Sequence, residues 1–195
     1  MTKPDLLKQI AETGYNVGFG AKKHFATYDL VEKAPGWIGF ISLGVGVFAL
    51  FVDVLATKQM SGILIVLGIA GLIINTYGET KLTYAEKGTL LTKLFNDLKM
   101  LYYSVKGSEK TDFKIESDAL KEIEATYYSN CLSKQIFFSD WYAHYKFFWQ
   151  HQIEWIDEQK HFKLWRDKIP LSLTFCVSAM VLIGVLYCIC FKATT

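Results

Sequence analysis

Long apolar stretches alternate with mixed polar segments along this chain, and their lengths predict its layout. Three stretches, at residues 37–55, 60–77 and 169–191, contain Asp53 as their single formally charged residue. About 20 apolar residues in a helix cross the ~30 Å hydrocarbon core of a bilayer. Backbone polar groups must be paired within lipid, so each stretch is predicted to be a transmembrane helix. The short link at 56–59 makes the first two a tight hairpin.

Small and polar residues recur at helical spacing in the first two stretches and predict helix interfaces, because small side chains let membrane helices approach closely. One interpretation is that the stripes pack the two spans together. The other is that they face further subunits or water in an oligomeric pore. Asp53 either reaches the outer interface beside Lys58 or belongs to a carboxylate ring that favours cations. The stripe residues are Gly39, Ser42, Gly46, Ala49 and Asp53 in the first span, and Gly68, Gly71 and Asn75 in the second.

The polar segments predict further helices, so the expected fold class is an all-α membrane protein. Helices at 5–17 and 21–33 are expected before a break at Pro35. Residues 80–105 show apolar steps of three and four, typical of a coiled-coil-like face. A second helical run from 111 to 165, with a break near 130–133, predicts an antiparallel hairpin joined around Gly107. Candidate packing or partner-docking faces are Leu91, Leu94, Leu98 and Leu101 on the first helix, and Trp141, Tyr145, Phe148 and Trp155 on the second.

Charge placement predicts the orientation of these regions. The first 36 residues carry five lysines and residues 79–168 carry fourteen lysines and arginines, whereas the hairpin turn carries Lys58 alone. Positive residues favour the cytoplasmic side, so the N-terminus and the long middle region are predicted to be cytoplasmic. The expected division is 1–36 N-terminal cytoplasmic helices, 37–78 transmembrane hairpin, 79–168 cytoplasmic helical region and 169–191 third transmembrane helix. The nearly balanced net charge of +2 argues against a nucleic-acid-binding protein.

Residues that carry catalysis or hold metals are not arranged in a recognisable pattern. The four histidines form no H-x-x-x-H pair, and the four cysteines form no C-x-x-C pair. His151, with Glu154 and Glu158 nearby, lacks the paired Glu-x-x-His elements of a carboxylate–histidine metal site. No phosphate-binding loop, nucleophile elbow or dinucleotide fingerprint occurs. We therefore predict a protein that is not an enzyme and that uses no cofactor and no metal.

The layout resembles the SLATT domains of bacterial conflict systems. The resemblance runs from Lys22-Lys23-His24-Phe25 through the hairpin to the helix segment at residues 94–102, and the third apolar stretch extends the two-span layout. It implies an effector of the bacterial inner membrane that permeabilises this membrane when a defence sensor fires. It also implies partners that synthesise or sense nucleotide signals.

Two functions from different classes follow from these observations. The first is a pore-forming effector that contacts membrane lipid, assembles as a homo-oligomer and responds to a sensor or signal-synthesising partner. The second is a membrane anchor or scaffold that docks a soluble partner on its cytoplasmic helices, in which case the stripes serve packing alone. A third reading, a three-span phage holin, is hard to reconcile with about ninety cytoplasmic residues.

Overall fold

The computed structural model describes the backbone of residues 2–193 and the side chains of residues 2–186 and 189. Within this part of the chain all regular structure is helical, which confirms the predicted all-α class. Single 3-10 turns at Asp53–Ala56 and Gly78–Thr80 and a π turn at Leu164–Lys168 link the longer helices. The seven α-helices of the described residues are α1 Lys3–Phe48, α2 Lys58–Asn75, α3 Lys81–Gly107, α4 Lys114–Asn130, α5 Ser139–Phe148, α6 Glu154–Lys160 and α7 Leu171–Ala193.

The first helix is continuous over 46 residues, so the predicted division into two short helices, a break and a separate span is wrong. It begins where the Thr2 side chain accepts a hydrogen bond from the Asp5 backbone N–H, with a proline in the first turn. A capping hydroxyl and an early proline are the usual features of a helix start. At roughly 1.5 Å per residue the helix is about 70 Å long, enough to combine a soluble half with a membrane half.

Glycines in the first half of α1 are contact points with aromatic rings rather than breaks. A Cβ atom at Gly14 would lie 2.3 Å from Cη2 of Trp155, and one at Gly18 would lie 2.7 Å from Cδ2 of Phe95. A glycine in a helix interior costs about 1 kcal/mol relative to alanine. Burying a Trp or Phe side chain stabilises by about 1.5–3 kcal/mol, which offsets that cost. The sequence prediction rested on the local cost of glycine in a helix, because the sequence does not reveal the distant rings that contact these glycines.

Pro35 lies inside α1 without ending the helix. A proline lacks the backbone N–H that would bond the carbonyl four residues earlier, at Val31, and its ring crowds that carbonyl. The helix continues because its residues before Pro35 pack in the bundle and its residues after Pro35 continue as apolar helical turns. Pro35 therefore marks a locally weakened point, at the junction between the two halves of α1.

Residues 3–33 of α1 form the centre of a helical bundle with α3, α4, α5 and α6, which we call the bundle. The helix α3 packs mainly on α1. The prediction that α3 pairs with a long second helix in an antiparallel hairpin is therefore wrong. That second run is divided into α4, α5 and α6, and the predicted break at 130–133 is confirmed because α4 ends at Asn130. Core side chains come from every member of the bundle: Leu6, Ile10, Val17, Leu91, Leu98, Leu120, Phe147, Trp155 and Ile156.

The second half of α1 and the whole of α2 form an antiparallel apolar hairpin, spanning residues 37–75. The first stretch was predicted to remain helical to residue 55, but α1 ends at Phe48 and a turn with a 3-10 segment follows. Among the described residues α2 is the one helix whose length and composition suffice to cross a membrane. The part of α7 over Leu171–Leu186 is apolar but shorter than a span, and most side chains at the end of the predicted third span lie outside the described residues.

Candidate functional site

The apolar hairpin exposes large hydrophobic side chains around most of its circumference. Phe40, Leu43 and Phe51 are exposed in its first half and turn, and Ile65 and Leu72 are exposed in α2. Soluble proteins rarely expose apolar patches larger than a few hundred Å². The hairpin surface is therefore suited to contact with lipid or with other apolar helices rather than with water.

The glycines of the small-residue stripes open outwards in the single chain. A Cβ atom at Gly39, Gly46 or Gly68 would meet nothing within 4 Å, and one at Gly71 would just touch Cδ1 of Ile38 at 4.0 Å. Gly71 thus touches the other helix at Ile38, which is not a member of the first stripe, so the described contacts of these glycines give no close packing of one stripe on the other. The stripe glycines at 39, 46 and 68 form an open small-residue face of the hairpin among the described residues.

The polar members of the stripes lie at the two ends of the hairpin. Asp53 begins the 3-10 segment of the turn, where its side chain is exposed, instead of lying in the last turn of a helix. Asn75 is the last residue of α2 and is exposed at the opposite end. Ser42 and Ala49 are half-buried along the first half of the hairpin. The stripe thus has a carboxylate at one end and an amide at the other.

A buried histidine joins α1 to the segment at residues 131–138, which we call the strap. The backbone N–H of Leu132 donates to Nε2 of His24 over 3.1 Å, and Nδ1 of His24 lies 2.7 Å from the carbonyl of Gly20. A carbonyl only accepts, so Nδ1 carries the proton and the ring is neutral. Burial lowers the pKa of His24, with a further contribution from the charge of Lys23. The neutral ring is therefore the form that holds the strap.

Three more side chains hold the strap to neighbouring helices. The hydroxyl of Thr27 donates to Oε1 of Gln135 over 2.5 Å, and the hydroxyl of Tyr84 donates to the carbonyl of Lys134 over 2.6 Å. Tyr77, just after α2, donates to the carbonyl of Gln135 over 3.5 Å. The strap therefore connects α1, α3 and the end of the apolar hairpin.

A mostly buried ion cluster lies where α1 leaves the bundle. Asp29 accepts from Lys33 over 2.8 Å and from Lys146 of α5 over 2.5 Å. Burial alone disfavours the carboxylate, but the hydrogen bonds from Lys146 and Lys33 outweigh it and hold the pKa of Asp29 below its usual range. A second pair joins Glu32 to Lys81 at the start of α3, over 2.5 Å. These pairs fix the last turns of α1 before the apolar hairpin.

The aromatic interior of the bundle contains two polar atoms without a protein partner. Nε1 of Trp155 and Nδ1 of His151 are both buried, and the His151 ring lies 4.5 Å from the ring of Phe95. Burial and the nearby positive charges of Lys22 and Lys99 lower the pKa of His151 to about 4. The imidazole therefore packs as a neutral ring in the core.

The predicted docking faces belong mostly to the core. Leu91, Leu94 and Leu98 are buried and Leu101 is partly buried, all in the bundle core around α1. The four residues predicted to share one aromatic face are divided between two helices: Phe148 and Trp155 are buried, Tyr145 is exposed and Trp141 is half-buried. A partner could reach the buried ones only after the bundle opens, so their packing role is the one that this geometry supports.

Sequence reasoning missed the strap contacts and the Asp29 cluster. Two strap acceptors are backbone carbonyls, which any residue provides, so the sequence contains no signal for them. Asp29 and Lys33 do show the i, i+4 spacing of a helical ion pair, but Lys146 is far away along the chain. Within the described residues no group of three or more His, Cys, Asp or Glu is placed to hold a metal ion.

Comparison with protein families gives a match over most of the chain. A family model described as "SMODS and SLOG-associating 2TM effector domain 6" matches residues 1–177, which includes the bundle, the apolar hairpin and the first turns of α7. Neither the curated proteins nor the solved structures contain a match to the chain.

Proposed function

Because the chain belongs to the SLATT family of two-transmembrane effector domains, we propose that it is a non-enzymatic effector of a bacterial conflict system that oligomerises in the inner membrane and permeabilises it when activated. Family membership makes it a membrane protein. Pore formation, oligomerisation and the cytoplasmic placement of the bundle are the steps that we add.

The observation that carries the proposal is the open small-residue face of the hairpin. Small residues are useful in lipid where another helix comes close, because backbone approach and dispersion contacts drive association there. Among the described residues of their own chain, Gly39, Gly46 and Gly68 have no such neighbour. A second copy of the hairpin provides one, which supports assembly of several chains around these faces.

The bundle and the hairpin share α1, and this gives a route for activation. A continuous helix transmits a rotation or tilt of its bundle half to its membrane half. Pro35 weakens α1 at the boundary between the halves, while the Asp29 cluster and the strap hold the resting angle. A partner that shifts the bundle would therefore change which faces of the hairpin contact neighbouring copies.

The turn carboxylate is placed to influence which ions pass. Copies assembled around the hairpin would bring several Asp53 side chains together at one mouth, and a ring of carboxylates favours cations. Asn75 would form the corresponding neutral ring at the other end. We expect Asp53→Asn to leave assembly intact and to reduce the preference for cations.

The trigger is proposed to come from a partner protein rather than from a ligand of this chain. The family description names association with SMODS and SLOG. A sensor or signal-synthesising partner would meet the outer surface of the bundle, where Met100 and Tyr103 of α3 are exposed. We assign no cofactor, metal or nucleic acid to the chain.

The test is membrane potential in a bacterium that expresses the full chain, followed with a potential-sensitive dye. Gly46→Leu places a large side chain on the small-residue face. Gly44→Leu, on another face of the same helix, is the matched control because both positions are open among the described residues of the single chain. We expect wild type and Gly44→Leu to depolarise the cells and Gly46→Leu to fail. A correctly inserted wild type that never depolarises, even with neighbouring genes and phage challenge, would favour the anchor or scaffold function.

A further inference from the structure

Two adjacent phenylalanines project from the strap into open space. Phe137 is 78% exposed and Phe138 is 51% exposed, and their ring centroids lie 4.3 Å apart. The ring of Trp141 lies 5.0 Å from that of Phe138 and completes a three-ring cluster, which we call the aromatic wedge. An exposed cluster of this size on a surface strap is a sign of a contact outside the bundle.

The backbone at the wedge adopts a conformation that an aromatic residue seldom takes. Phe138 has a φ of 68°, in the left-handed region that favours glycine. Such conformations persist where the surrounding structure holds them, and they cluster at functional sites. At this strained backbone both phenylalanine rings are exposed.

The two flanks of the wedge are fixed to the ends of apolar helices. Before it, the carbonyl of Gln135 accepts a hydrogen bond from Tyr77, which follows α2 directly. After it, Nε1 of Trp141 donates to Oγ of Ser172 in the first turn of α7, over 2.9 Å. Phe137 is two residues from Gln135, so its Cα lies within about 7 Å of the Cα of Gln135. The two hydrogen bonds therefore hold the wedge near the level of these helix ends.

That level is the headgroup region of a bilayer crossed by the apolar helices. The polar zone adds roughly 10–15 Å to the ~30 Å hydrocarbon core, or about 5–8 Å on each side. Aromatic side chains are enriched at this depth. Basic groups accompany them: Nζ of Lys134 lies 4.7 Å from the Tyr77 ring, and Arg166 and Lys168 lie in the turn before α7. Such groups complement the phosphates of anionic lipids.

Space for lipid lies directly beside the wedge. An open groove of about 700 Å³ separates the strap from the start of α7. Its lining includes the rings of Tyr77, Phe137, Phe138 and Trp141, the hydroxyl of Ser172, and the ion pair of Lys23 with Asp140. A lining that mixes aromatic rings with hydroxyl groups matches the chemistry of the boundary between acyl chains and headgroups.

We propose that the aromatic wedge inserts into the interfacial layer of the same bilayer and docks the bundle onto the membrane surface, with phospholipid as its partner. The inference rests on the membrane placement of α2 and α7 in the proposed function, but it does not require a pore. The strap, held by His24 and Tyr84 on one side, then links the bundle core to lipid as well as to the hairpin.

The test is photo-crosslinking of the full chain in vesicles of phosphatidylethanolamine and phosphatidylglycerol. The photoreactive analogue p-benzoylphenylalanine replaces one residue at a time, and adducts are identified by mass spectrometry. Phe137 is the test position. Ile115, 79% exposed at the far end of α4, is the matched negative control, and Leu72, 71% exposed on α2, reports membrane placement itself.

We expect lipid adducts at positions 72 and 137 and a several-fold lower yield at 115. Adducts at 72 but not at 137 would overturn the wedge while leaving the membrane effector intact, whereas none at 72 would remove the premise of both. Protein adducts at 137, to a second copy or another chain, would also overturn the wedge. As a second variant, Phe138→Gly suits the backbone there, and we expect it to fold while amide exchange of residues 133–141 in vesicles accelerates.

Discussion

Replacing Gly14 with alanine tests the centre of the bundle, because two effects of opposite sign act at this position. Alanine is the better helix former by about 1 kcal/mol. Against this, its Cβ would lie 2.3 Å from Cη2 of Trp155, a ring that is 1% exposed and packed against Phe95 and Tyr102. Extra atoms in a well-packed core cost about 1–3 kcal/mol.

The overlap exceeds 1 Å relative to ordinary contact, so we take the upper part of that range and expect a net loss of about 2 kcal/mol. For a chain of this size a loss of 1 kcal/mol lowers Tm by about 2–4 °C, so the expected decrease is about 4–8 °C. The assay is thermal unfolding of the detergent-solubilised full chain, followed by tryptophan fluorescence.

Gly36→Ala is the matched control in the same helix, because a Cβ there meets nothing within 4 Å. The same substitution should therefore be neutral or raise Tm slightly, by its gain in helix propensity. Equal and positive shifts for Gly14→Ala and Gly36→Ala would refute the close packing of Trp155 on α1, and with it the account of why α1 is continuous.

Three further predictions concern charge, acid and the proline. The free energy of unfolding of the bundle should be greatest above about pH 6.5 and should fall as the pH drops towards 4. His151 has a pKa of about 4 when folded, so the unfolded chain binds the proton first. We expect His151→Phe to reduce this loss when unfolding is measured as a function of pH. Lys146→Met should cost on the order of 2 kcal/mol in unfolding free energy, because it removes a mostly buried partner of Asp29. Pro35→Ala should raise Tm, because it restores a backbone hydrogen bond within α1, and it should weaken depolarisation if the proline is the articulation between the two halves.

Each of these has an outcome that contradicts it. An unchanged acid profile in His151→Phe would mean that another group dominates the acid loss. Lys33→Met is the control for Lys146→Met, since it removes an exposed partner of the same carboxylate and should cost less stability than Lys146→Met. A lower Tm for Pro35→Ala would mean that the proline is packed rather than merely tolerated.

The helices and their apolar faces could be predicted from the sequence where the signal is local. Leu91, Leu94 and Leu98 repeat at helical spacing, and they do form the buried face of α3. The end of α4 at Asn130 was likewise predicted from local composition. Such patterns are informative because the helical period alone brings the residues to one side.

The central position of α1 could not be predicted, because small and polar residues make up much of its core face beside Leu6, Ile10 and Val17. Gly14, Gly18 and Thr27 face the core, but a periodicity based on large apolar side chains does not detect them. The glycines indicated interruptions, and only the rings of Trp155 and Phe95, more than 75 residues away, explain why the helix continues. The cost of glycine within a helix is outweighed by the packing of these distant rings.

The candidate site likewise has features that the sequence predicts and features that depend on the three-dimensional fold. The stripe from Gly39 to Asp53 follows from spacing, but its outward direction and the end of the helix before Asp53 depend on how the chain turns. The strap depends on backbone acceptors and on a buried histidine whose role is set by Leu132. Sequence pattern therefore predicts the small-residue faces, and the three-dimensional fold is needed to connect them to the bundle.

Ion release from vesicles that contain the purified full chain tests the central claim most directly. Vesicles loaded with K⁺ and reconstituted at increasing protein density should release it with a steeper than linear dependence on density, because several chains must meet. Gly44→Leu should behave as wild type and Gly46→Leu should not release K⁺. Absence of release by correctly inserted wild type at every density, or equal release by both variants, would contradict a pore built on the small-residue face.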